Sequence, residues 1–480
     1  MMSALHSGLF TDFYQLTMAQ GYFSQKMGER RAAFDLFFRK QPFEGGFSVL
    51  AGLDDALDFL ENVRFSGDDI AYLKKRKVFT DEFLDHLREF RFTGNVHAAP
   101  EGMPVFPMAP LLRVSGSLEQ CQLMESPLLN IVNFQSLIAT KSARVSLEAG
   151  YDNVLEFGMR RAQGFNGALA ASRAAYIGGC TGTSCMLAGK MYGIPVSGTH
   201  AHSWVMAFPD ELSAFRAFAT QYPDNCILLV DTVDTLKSGI PNAVTVGREL
   251  AANGHRLRGV RLDSGDLAYL SIETRKMLDA AGLDYVKIVA SGELDERIIH
   301  DLKAQGAKID IYGVGTKLVT AEGSSSFSGI YKLAAVEADS GAMTMKIKLS
   351  DNIGKSTLPG IKQVWRLFGG GGEMMADLID FEGERHDFAN GVWGYHPFVE
   401  YERKFYDGIV SAVPLLTPVM KDGARLAPPR PLTEIRAACR AGLETLHPTM
   451  RRLLNPHIYK VSLGQALFDE TRRLRIREER

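Results

Sequence analysis

The sequence predicts an α/β protein built around a parallel α/β barrel, with an N-terminal α+β domain and a β-rich C-terminal segment. Three observations predict this fold. Short, almost continuous apolar runs recur in the middle of the 480-residue chain, and such runs are typical of strands buried on both faces of a parallel sheet. Amphipathic stretches separate these runs, as expected for βαβ units. Six such runs favour a barrel over a short open sheet.

The predicted barrel domain spans residues 126–330. A helix over Ser126–Ala149 leads into it, and the helices Leu267–Ala281 and Glu293–Gln305 lie between strands. Gly306 follows the last helix directly, and glycine at this place is a common helix stop. The predicted barrel strands are Val154–Gly158, Ile194–Gly198, Cys226–Asp231, Leu257–Asp263, Val286–Ala290 and Ile309–Val314.

Residues 1–125 form the predicted N-terminal domain, and residues 331–480 form a C-terminal segment that we expect to pack on that domain and on the barrel. The tail from Leu467 is predicted to be a helix in which arginines alternate with glutamates, which is typical of a solvated face. The N-terminal elements are strands at Ala32–Phe38 and Gly94–His97 and helices at Leu53–Val63, Asp68–Lys75 and Asp81–Phe90. The C-terminal strands are Tyr331–Val336, Thr344–Leu349 and Lys362–Leu367.

Composition and charge exclude several classes of protein. The 54 Lys and Arg residues nearly balance the 56 Asp and Glu residues, for a net charge of −2, which argues against a partner such as nucleic acid or a membrane. The five cysteines are irregularly spaced and form no C-x-x-C motif, so we expect neither a disulfide framework nor a structural metal. The sequence shows no signal peptide and no apolar run long enough to span a bilayer. We therefore expect a cytoplasmic protein.

A polar motif follows each predicted barrel strand. In chain order these motifs are EFGMRRAQG, SGTHAHSW, DTVDT, RLDSGD, ASGE and GVGT. The carboxyl ends of parallel barrel strands share one rim, where the active sites of such barrels are built. Turn chemistry alone explains a single motif rich in Gly, Ser and Asp, whereas six together predict a functional site on this rim.

The last two motifs predict a phosphate-binding site. GVGT places Gly313, Gly315 and Thr316 directly after a strand, where backbone N–H groups and a hydroxyl can hold a phosphate. Ser291 and Gly292 of the preceding motif offer a second set of donors. Each loop alone also fits a tight turn, but two such loops late in a parallel barrel favour a phosphorylated ligand.

An arginine and a carboxylate lie two residues apart at the end of one strand. Arg261 and Asp263 of RLDSGD therefore point to the same side, and this pair suits an anionic substrate together with a sugar diol or Mg²⁺. A plain ion pair, with Asp266 capping the next helix, is the alternative. Phe157 and Arg160 of EFGMRRAQG predict a site for a flat, anionic ring.

Two histidines, His200 and His202, lie in SGTHAHSW. A zinc pair would need a third ligand, which the sequence does not offer. A histidine at a strand end is either a hydrogen-bonded polar residue or a general base or phosphoryl acceptor. The spacing alone leaves both interpretations open.

Seven stretches in unbroken order resemble the nicotinate phosphoribosyltransferase family. Each stretch alone is unspecific, but together they extend over most of the chain up to residue 366. The resemblance implies the irregular α/β barrel of type II phosphoribosyltransferases, and a homodimer whose active sites lie at the subunit interface. The stretches are TDFYQLTMAQGYF (11–23), EFGMRRAQG (156–164), GTHAHSW (198–204), LLVDTVDTLKSGIPNA (228–243), GVRLDSGDL (259–267), GVGTKLVT (313–320) and KSTLPGIKQVWR (355–366).

The resemblance also implies roles for individual residues. His202, the histidine followed by Ser-Trp, would be phosphorylated, whereas His200 falls where the family pattern varies and has no implied role. Arg261 and Asp263 would act with His202 in catalysis. The implied nicotinate-binding residues are Tyr14 from the partner subunit, Phe157, Arg160, Thr199 and Arg261. The implied phosphoribosyl- and phosphate-binding residues are Ser291, Gly292, Gly313, Gly315 and Thr316.

The implied reaction joins nicotinate to 5-phosphoribosyl 1-diphosphate and gives nicotinate mononucleotide and diphosphate, the first step of NAD salvage from nicotinic acid. Mg²⁺ and ATP as cosubstrate are implied with it, although the metal ligands are not. The alternatives are a nicotinamide phosphoribosyltransferase on the same fold and a phosphate-binding barrel lyase or isomerase. The absence of an obvious Asp to accept from an amide, together with the second arginine of EFGMRRAQG, favours the acid over the amide. A lyase or isomerase would need a lysine or glutamate base at a strand end, and none presents itself clearly. A catalytically inactive relative would not need His202, Arg261 and Asp263 together.

Overall fold

The protein has a mixed α/β fold, as the sequence predicts, and the computed structural model describes residues 6–349 and 356–478. It divides into two compact units. The central unit is Ile138–Ser325, and the terminal unit joins the chain up to Leu137 to the chain from Ser326 onward. Lys355, which begins the KSTLPGIKQVWR stretch, lies outside the described residues. Within the described ranges, no helix is both long and apolar enough to cross a membrane.

The elements alternate along the central unit and change to mostly strands toward the C-terminus. The strands are β1 Arg31–Phe38, β2 Ser48–Val49, β3 Asn95–Ala98, β4 Pro104–Val105, β5 Leu112–Ser117, β6 Val154–Glu156, β7 Gly182–Thr183, β8 Ile227–Leu229, β9 Gly259–Leu262, β10 Lys287–Gly292, β11 Ile311–Val314, β12 Gly329–Glu337, β13 Met343–Met345, β14 Lys362–Phe368, β15 Met374–Phe381, β16 Val392–Tyr395, β17 Arg403–Tyr406, β18 Ser411–Pro414, β19 Thr417–Lys421, β20 Ala424–Arg425 and β21 Val461–Leu463. The helices are α1 Phe13–Ser24, α2 Leu53–Asn62, α3 Gly67–Arg76, α4 Asp81–Arg88, α5 Leu118–Leu123, α6 Glu125–Ala149, α7 Gly164–Ile177, α8 Met186–Tyr192, α9 His202–Met206, α10 Glu211–Gln221, α11 Ile240–Ala252, α12 Leu267–Ala280, α13 Glu296–Ala304, α14 Thr316–Val319, α15 Leu432–Glu444 and α16 Gln465–Glu478.

The central unit is organised around a six-stranded sheet in the order β7-β6-β11-β10-β9-β8, and every pair in it is parallel. Phe215, Val260 and Ile288 are fully buried in the core between this sheet and its helices. An isolated parallel bridge adds Val196 beside Thr183 of β7. In the described part of the chain no strand pairing joins this edge to β8, so strand pairing leaves the sheet open and does not confirm the predicted closed barrel.

Five of the six predicted barrel strands are present. β6, β8, β9 and β11 are shorter than predicted, whereas β10 begins one residue later than predicted and extends to Gly292. The prediction of a strand over Ile194–Gly198 is wrong, because only Val196 forms a bridge there. The strand beside β6 is instead β7, which has two residues, Gly182 and Thr183. So short a strand has no apolar periodicity and could not be found from the sequence pattern.

Aspartate caps set the helix starts that follow the site strands. The carboxylate of Asp266 accepts a hydrogen bond from the Tyr269 N–H at 3.0 Å, so its predicted alternative role as the cap of α12 is confirmed. The helix predicted from Glu293 starts later, at Glu296, because Asp295 caps it through the Ile298 N–H at 2.8 Å. These caps hold the loops after β9 and β10 in fixed conformations.

The terminal unit combines strands from both parts of the chain that form it. A seven-stranded sheet has the order β13-β12-β1-β5-β3-β19-β20, so strands from beyond Ser326 flank the N-terminal strands. A second, six-stranded sheet has the order β17-β16-β21-β15-β14-β18 and comes from the C-terminal part alone, which accounts for its β-rich pattern. The predicted strand Thr344–Leu349 is reduced to β13, and α15 was not predicted.

Candidate active site

Arg261, on β9, connects three predicted site residues. Its Nε donates a hydrogen bond to Ser291 Oγ at 2.7 Å, and its Nη2 donates to Asp263 Oδ1 at 2.6 Å. Its Nη1 donates to Thr199 Oγ1 at 3.1 Å. The Arg261 side chain is 17% exposed. The guanidinium therefore keeps an accessible edge with N–H groups for a bound anion.

Asp263 is the carboxylate of this cluster. It also accepts a hydrogen bond from Ser291 Oγ. Its backbone N–H donates to Asp231 Oδ2 at 2.8 Å, and Ser264 Oγ donates to the same oxygen at 2.7 Å. Burial raises the pKa of the Asp263 carboxyl, but the Ser291 hydrogen bond and the Arg261 charge outweigh burial and hold the pKa below its ordinary value. Asp263 is therefore ionised at neutral pH.

His202, the first residue of α9, stands next to this carboxylate. Its Nδ1 lies 3.1 Å from Thr232 Oγ1, and its Nε2 lies 3.8 Å from Asp263 Oδ2. The His202 side chain is 41% exposed. An imidazole oriented by a hydroxyl at one nitrogen and open to a ligand can act as a base or take up a phosphoryl group.

Phe157 provides an aromatic face beside the guanidinium. Its ring centroid is 5.8 Å from Cζ of Arg261, within the range of a cation–π contact. The ring lies directly on Gly313 of β11, where an added Cβ would stand 2.6 Å from a ring carbon. Gly313 is therefore needed to seat the Phe157 ring.

Glu156, at the end of β6, fixes the turn that carries Phe157. The Glu156 residue is 1% exposed. Its carboxylate accepts hydrogen bonds from the Gly158 N–H, from Ser172 Oγ at 2.9 Å and from Thr183 Oγ1 at 2.5 Å. Three donors from the turn, α7 and β7 offset the cost of burying this carboxylate, and they leave the backbone around Phe157 little freedom.

The two predicted phosphate loops follow neighbouring strands. Ser291 of β10 pairs in register with Gly313 of β11, so the loops after them emerge side by side. Gly292 has a φ of +113°, and a Cβ there would stand 2.9 Å from the Asp263 carbonyl oxygen. Gly315 precedes the single-turn helix α14, which begins at Thr316. The structure thus brings both sets of predicted donors to one end of the parallel sheet.

Tyr14 and Arg160 are the predicted ring-binding residues with exposed side chains. Tyr14 lies on α1 of the terminal unit and is 48% exposed. Arg160 lies in the central unit on a single 3₁₀ turn, Met159–Arg161, after β6. Their roles stay predictions.

Glu156, Asp231 and Thr232 lie in the predicted motifs but were not predicted as site residues. Glu156 is the first residue of EFGMRRAQG and lies within a predicted strand, and Asp231 is the first residue of DTVDT and ends a predicted strand. A carboxylate at the end of a buried apolar run was the available signal, because such a group needs partners at that point. Thr232 carried no comparable signal, since a threonine after a strand is common turn chemistry.

An arginine, an ionised carboxylate, a histidine, an aromatic face and glycine loops at the ends of parallel strands are typical of α/β proteins that bind phosphorylated, anionic ligands. Comparison with known families agrees. A model described as the nicotinate phosphoribosyltransferase N-terminal domain matches residues 9–133. The family model matches residues 153–368, and the C-terminal domain model matches residues 361–471.

Individual relatives match almost the whole chain. The chain is 42% identical over 460 residues to a nicotinate phosphoribosyltransferase of Bacillus subtilis, covering 95% of this chain and 93% of that protein. It is 36% identical over 519 residues to one of Homo sapiens, covering 96% and 95%. The crystal structure of human nicotinic acid phosphoribosyltransferase is similar, with a TM-score of 0.85 and 34% identity over 97% of this chain and 99% of that chain. The chain belongs to the nicotinate phosphoribosyltransferase family, and the resemblance drawn from the motifs is confirmed.

Proposed function

We propose that this protein is an enzyme that transfers a phosphoribosyl group from 5-phosphoribosyl 1-diphosphate to nicotinate, giving nicotinate mononucleotide and diphosphate. This would be the first step of NAD salvage from nicotinic acid. Membership of the family supports the activity. The observation that carries it is the cluster of Arg261 with Asp263, Ser291 and Thr199 beside the Phe157 ring.

The cluster suits the nicotinate half of the reaction. Arg261 supplies a positive charge and free N–H donors for the nicotinate carboxylate, with Thr199 beside it. Phe157 stacks on the pyridine ring, and Arg160 contacts the ring or a phosphate. The C1′–O bond of 5-phosphoribosyl 1-diphosphate breaks, and diphosphate leaves with that electron pair. As the bond breaks, the lone pair of the ring nitrogen forms the new bond to C1′ of the ribose.

Asp263 acts on the ribose. Positive charge develops on the sugar as the C1′–O bond breaks, and an ionised carboxylate stabilises that charge. The hydrogen bonds from Arg261 and Ser291 keep Asp263 ionised and fixed in place. The loops that carry Ser291, Gly292, Gly313, Gly315 and Thr316 hold the 5′-phosphate, so the sugar is oriented before reaction.

ATP acts as a cosubstrate through His202, so that ATP hydrolysis is coupled to phosphoribosyl transfer and the enzyme belongs to the ligase class. A nitrogen of His202 attacks the γ-phosphorus of ATP, the bond to the β-phosphate oxygen breaks, and ADP leaves. Water later cleaves the P–N bond and releases phosphate. The exposure of His202 and its orientation by Thr232 support this step. A His202→Ala enzyme should keep nicotinate mononucleotide formation without ATP and lose its stimulation by ATP. Unchanged stimulation would refute the phosphohistidine.

We also propose that Mg²⁺ binds together with the diphosphate group of the substrate. Residues 6–349 and 356–478 contain no group of three or more His, Cys, Asp or Glu side chains placed to hold a metal ion. Mg²⁺ bound to substrate phosphates needs only one or two carboxylates. Asp231 fits this need, because its Oδ1 is buried without a hydrogen-bond partner among the described residues, and Asp263 neighbours it. When bound, Mg²⁺ would neutralise charge on the diphosphate.

A homodimer with shared active sites completes the proposal, with Tyr14 stacking on nicotinate in the partner's site. Exposed apolar side chains support an interface. Phe13 on α1 is 55% exposed, and Met186 and Met206 of the central unit are 71% and 75% exposed. Mixing inactive Tyr14→Ala and Arg261→Met enzymes should restore about a quarter of wild-type activity, since half of the dimers would hold one intact site. No recovery in dimers shown to exchange subunits would refute shared sites.

The experiment that tests the activity is incubation with 5-phosphoribosyl 1-diphosphate and Mg²⁺, with and without ATP, on nicotinate and on nicotinamide in parallel. We expect nicotinate mononucleotide as the main product and faster formation with ATP. Preference for nicotinamide would favour the alternative substrate, and the absence of either mononucleotide would refute the proposal.

A further inference from the structure

His200 bonds to the backbone at one open edge of the parallel sheet. Its Nε2 accepts a hydrogen bond from the N–H of Leu229, at the end of β8, at 3.2 Å. The next N–H along the chain, that of Val230, donates to the Arg261 carbonyl on the β9 side at 3.1 Å. Successive N–H groups of a strand face opposite neighbours. The imidazole therefore occupies the place that a carbonyl of a further strand would take.

The same segment of chain is paired at the other open edge. Thr183 of β7 donates through its N–H to the Pro195 carbonyl at 3.0 Å, and the Ser197 N–H donates to the Thr183 carbonyl at 3.0 Å. His200 follows three residues after Ser197. Residues 195–200 thus connect both edges of the sheet, by backbone at β7 and by a side chain at β8.

The surroundings of His200 keep its Nε2 an acceptor. The residue is 7% exposed, and its ring centroid lies 4.8 Å from that of Phe218 of α10. Its Nδ1 is 3.4 Å from the Ala201 carbonyl oxygen, to which the neutral imidazole donates. Burial lowers the pKa of His200 to about 4. The charges of Arg261 and His202 also lower this pKa, whereas the hydrogen bond to Ala201 raises it. His200 is neutral in the physiological range.

We propose that His200 closes the parallel sheet into a barrel through its side chain, and that it is a positioning residue for the two proposed site residues that flank it. Thr199 on one side accepts from Arg261, and His202 on the other lies against Thr232. Because the His200 side chain fixes this loop to β8, it sets the positions of Thr199 and His202. Those positions are set relative to the Asp263 carboxylate and the Arg261 guanidinium. This second role rests on the proposed function, whereas the closure does not.

The test uses two substitutions that separate the acceptor from the ring. His200→Phe keeps an aromatic ring against Phe218 but removes the acceptor, and His200→Gln offers an amide oxygen at a similar reach. Ser271→Ala is the matched control. Ser271 Oγ accepts from the Lys308 N–H at 3.0 Å and is buried in the same unit, so this variant also deprives one backbone N–H of its side-chain acceptor, away from the site.

Two measurements decide the outcome, hydrogen–deuterium exchange of peptides that contain Leu229 and steady-state kinetics with ATP. In His200→Phe we expect exchange at Leu229 to rise and kcat to fall by about 10- to 100-fold. In His200→Gln the exchange at Leu229 and kcat should both return toward their wild-type values. Ser271→Ala should keep the wild-type kcat, although it should lose about as much thermal stability as His200→Phe. Unchanged exchange in His200→Phe would overturn the closure.

Faster exchange with kcat equal to that of Ser271→Ala would overturn the positioning role. An inactive wild-type enzyme would refute the proposed function instead, and the exchange result would still decide the closure.

Discussion

Two Arg–Asp pairs among the described residues lie beside an aromatic ring, one in each compact unit, and they are built differently. In the terminal unit, Arg366 of β14 donates to both oxygens of Asp377 of β15, at 2.8 and 2.9 Å. The two side chains are 0% and 1% exposed. Tyr459 donates its hydroxyl to the same carboxylate at 2.9 Å, and the Phe106 ring centroid is 5.4 Å from Cζ of Arg366. This pair is sealed from solvent.

The pair in the central unit is open. Arg261 gives Asp263 a single hydrogen bond and directs its other bonds to Ser291 and Thr199. Both side chains are partly exposed, at 17% and 29%. We expect the bidentate, buried pair to contribute to folding stability, because removing one partner leaves the other charge unpaired in the interior. The monodentate, accessible pair is expected to act on a ligand.

The largest effect is expected from removing the charge of the open pair. Arg261→Met should lower kcat/KM for nicotinate by about 10⁴-fold, equivalent to ~5.5 kcal/mol, because the site loses its cation and Asp263 loses its partner. Steady-state kinetics check this. Arg258→Met is the control, since Arg258 lies before β9 at its other end and bonds to the Asp224 carbonyl; its activity should stay within about twofold. A comparable loss in both variants would contradict a local role.

Breaking the sealed pair should affect stability instead. Asp377→Ala leaves Arg366 buried without its carboxylate and should reduce the free energy of unfolding by about 3–5 kcal/mol. Urea denaturation measures this, and the folded enzyme should keep its KM for nicotinate. Asp279→Ala, which breaks an exposed pair with Arg275 on α12, should cost at most about 0.5 kcal/mol. Equal losses would show that burial does not distinguish the pairs.

The open pair could be predicted from the sequence, and much of its setting could not. Arg261, Asp263 and Ser291 follow apolar runs that predict strands, and parallel strands bring their ends together. The partner of Arg261 across 62 positions, Thr199, depends on the path of a loop without a local pattern. The sealed pair lies on strands β14 and β15, of which only the first was predicted. Local periodicity identifies strands, but pairing between distant segments is set by tertiary packing.

The pH dependence of folding stability extends the comparison to another buried ionisable group, His200. The pKa of His200 falls from 6.5 to about 4 in the fold. The unfolded chain therefore takes up the proton first as the pH falls. The stabilisation is complete above about pH 6.5 and is lost between about 6.5 and 4, by up to ~3 kcal/mol. Urea denaturation across this window should show the loss in wild type and a smaller one in His200→Gln. Identical pH profiles would contradict a buried, neutral His200.

The smallest effect is expected from a carboxylate that is buried like Asp377 but serves the open site. Glu156→Gln replaces an acceptor of three hydrogen bonds by an amide that must turn a donor toward one of them. The turn that carries Phe157 should loosen, and KM for nicotinate should rise about 10-fold, or ~1.4 kcal/mol, with little change in kcat. Glu148→Gln, at an exposed contact with His300, should leave KM unchanged. A loss of stability in Glu156→Gln without any change in KM would place Glu156 with the sealed pair.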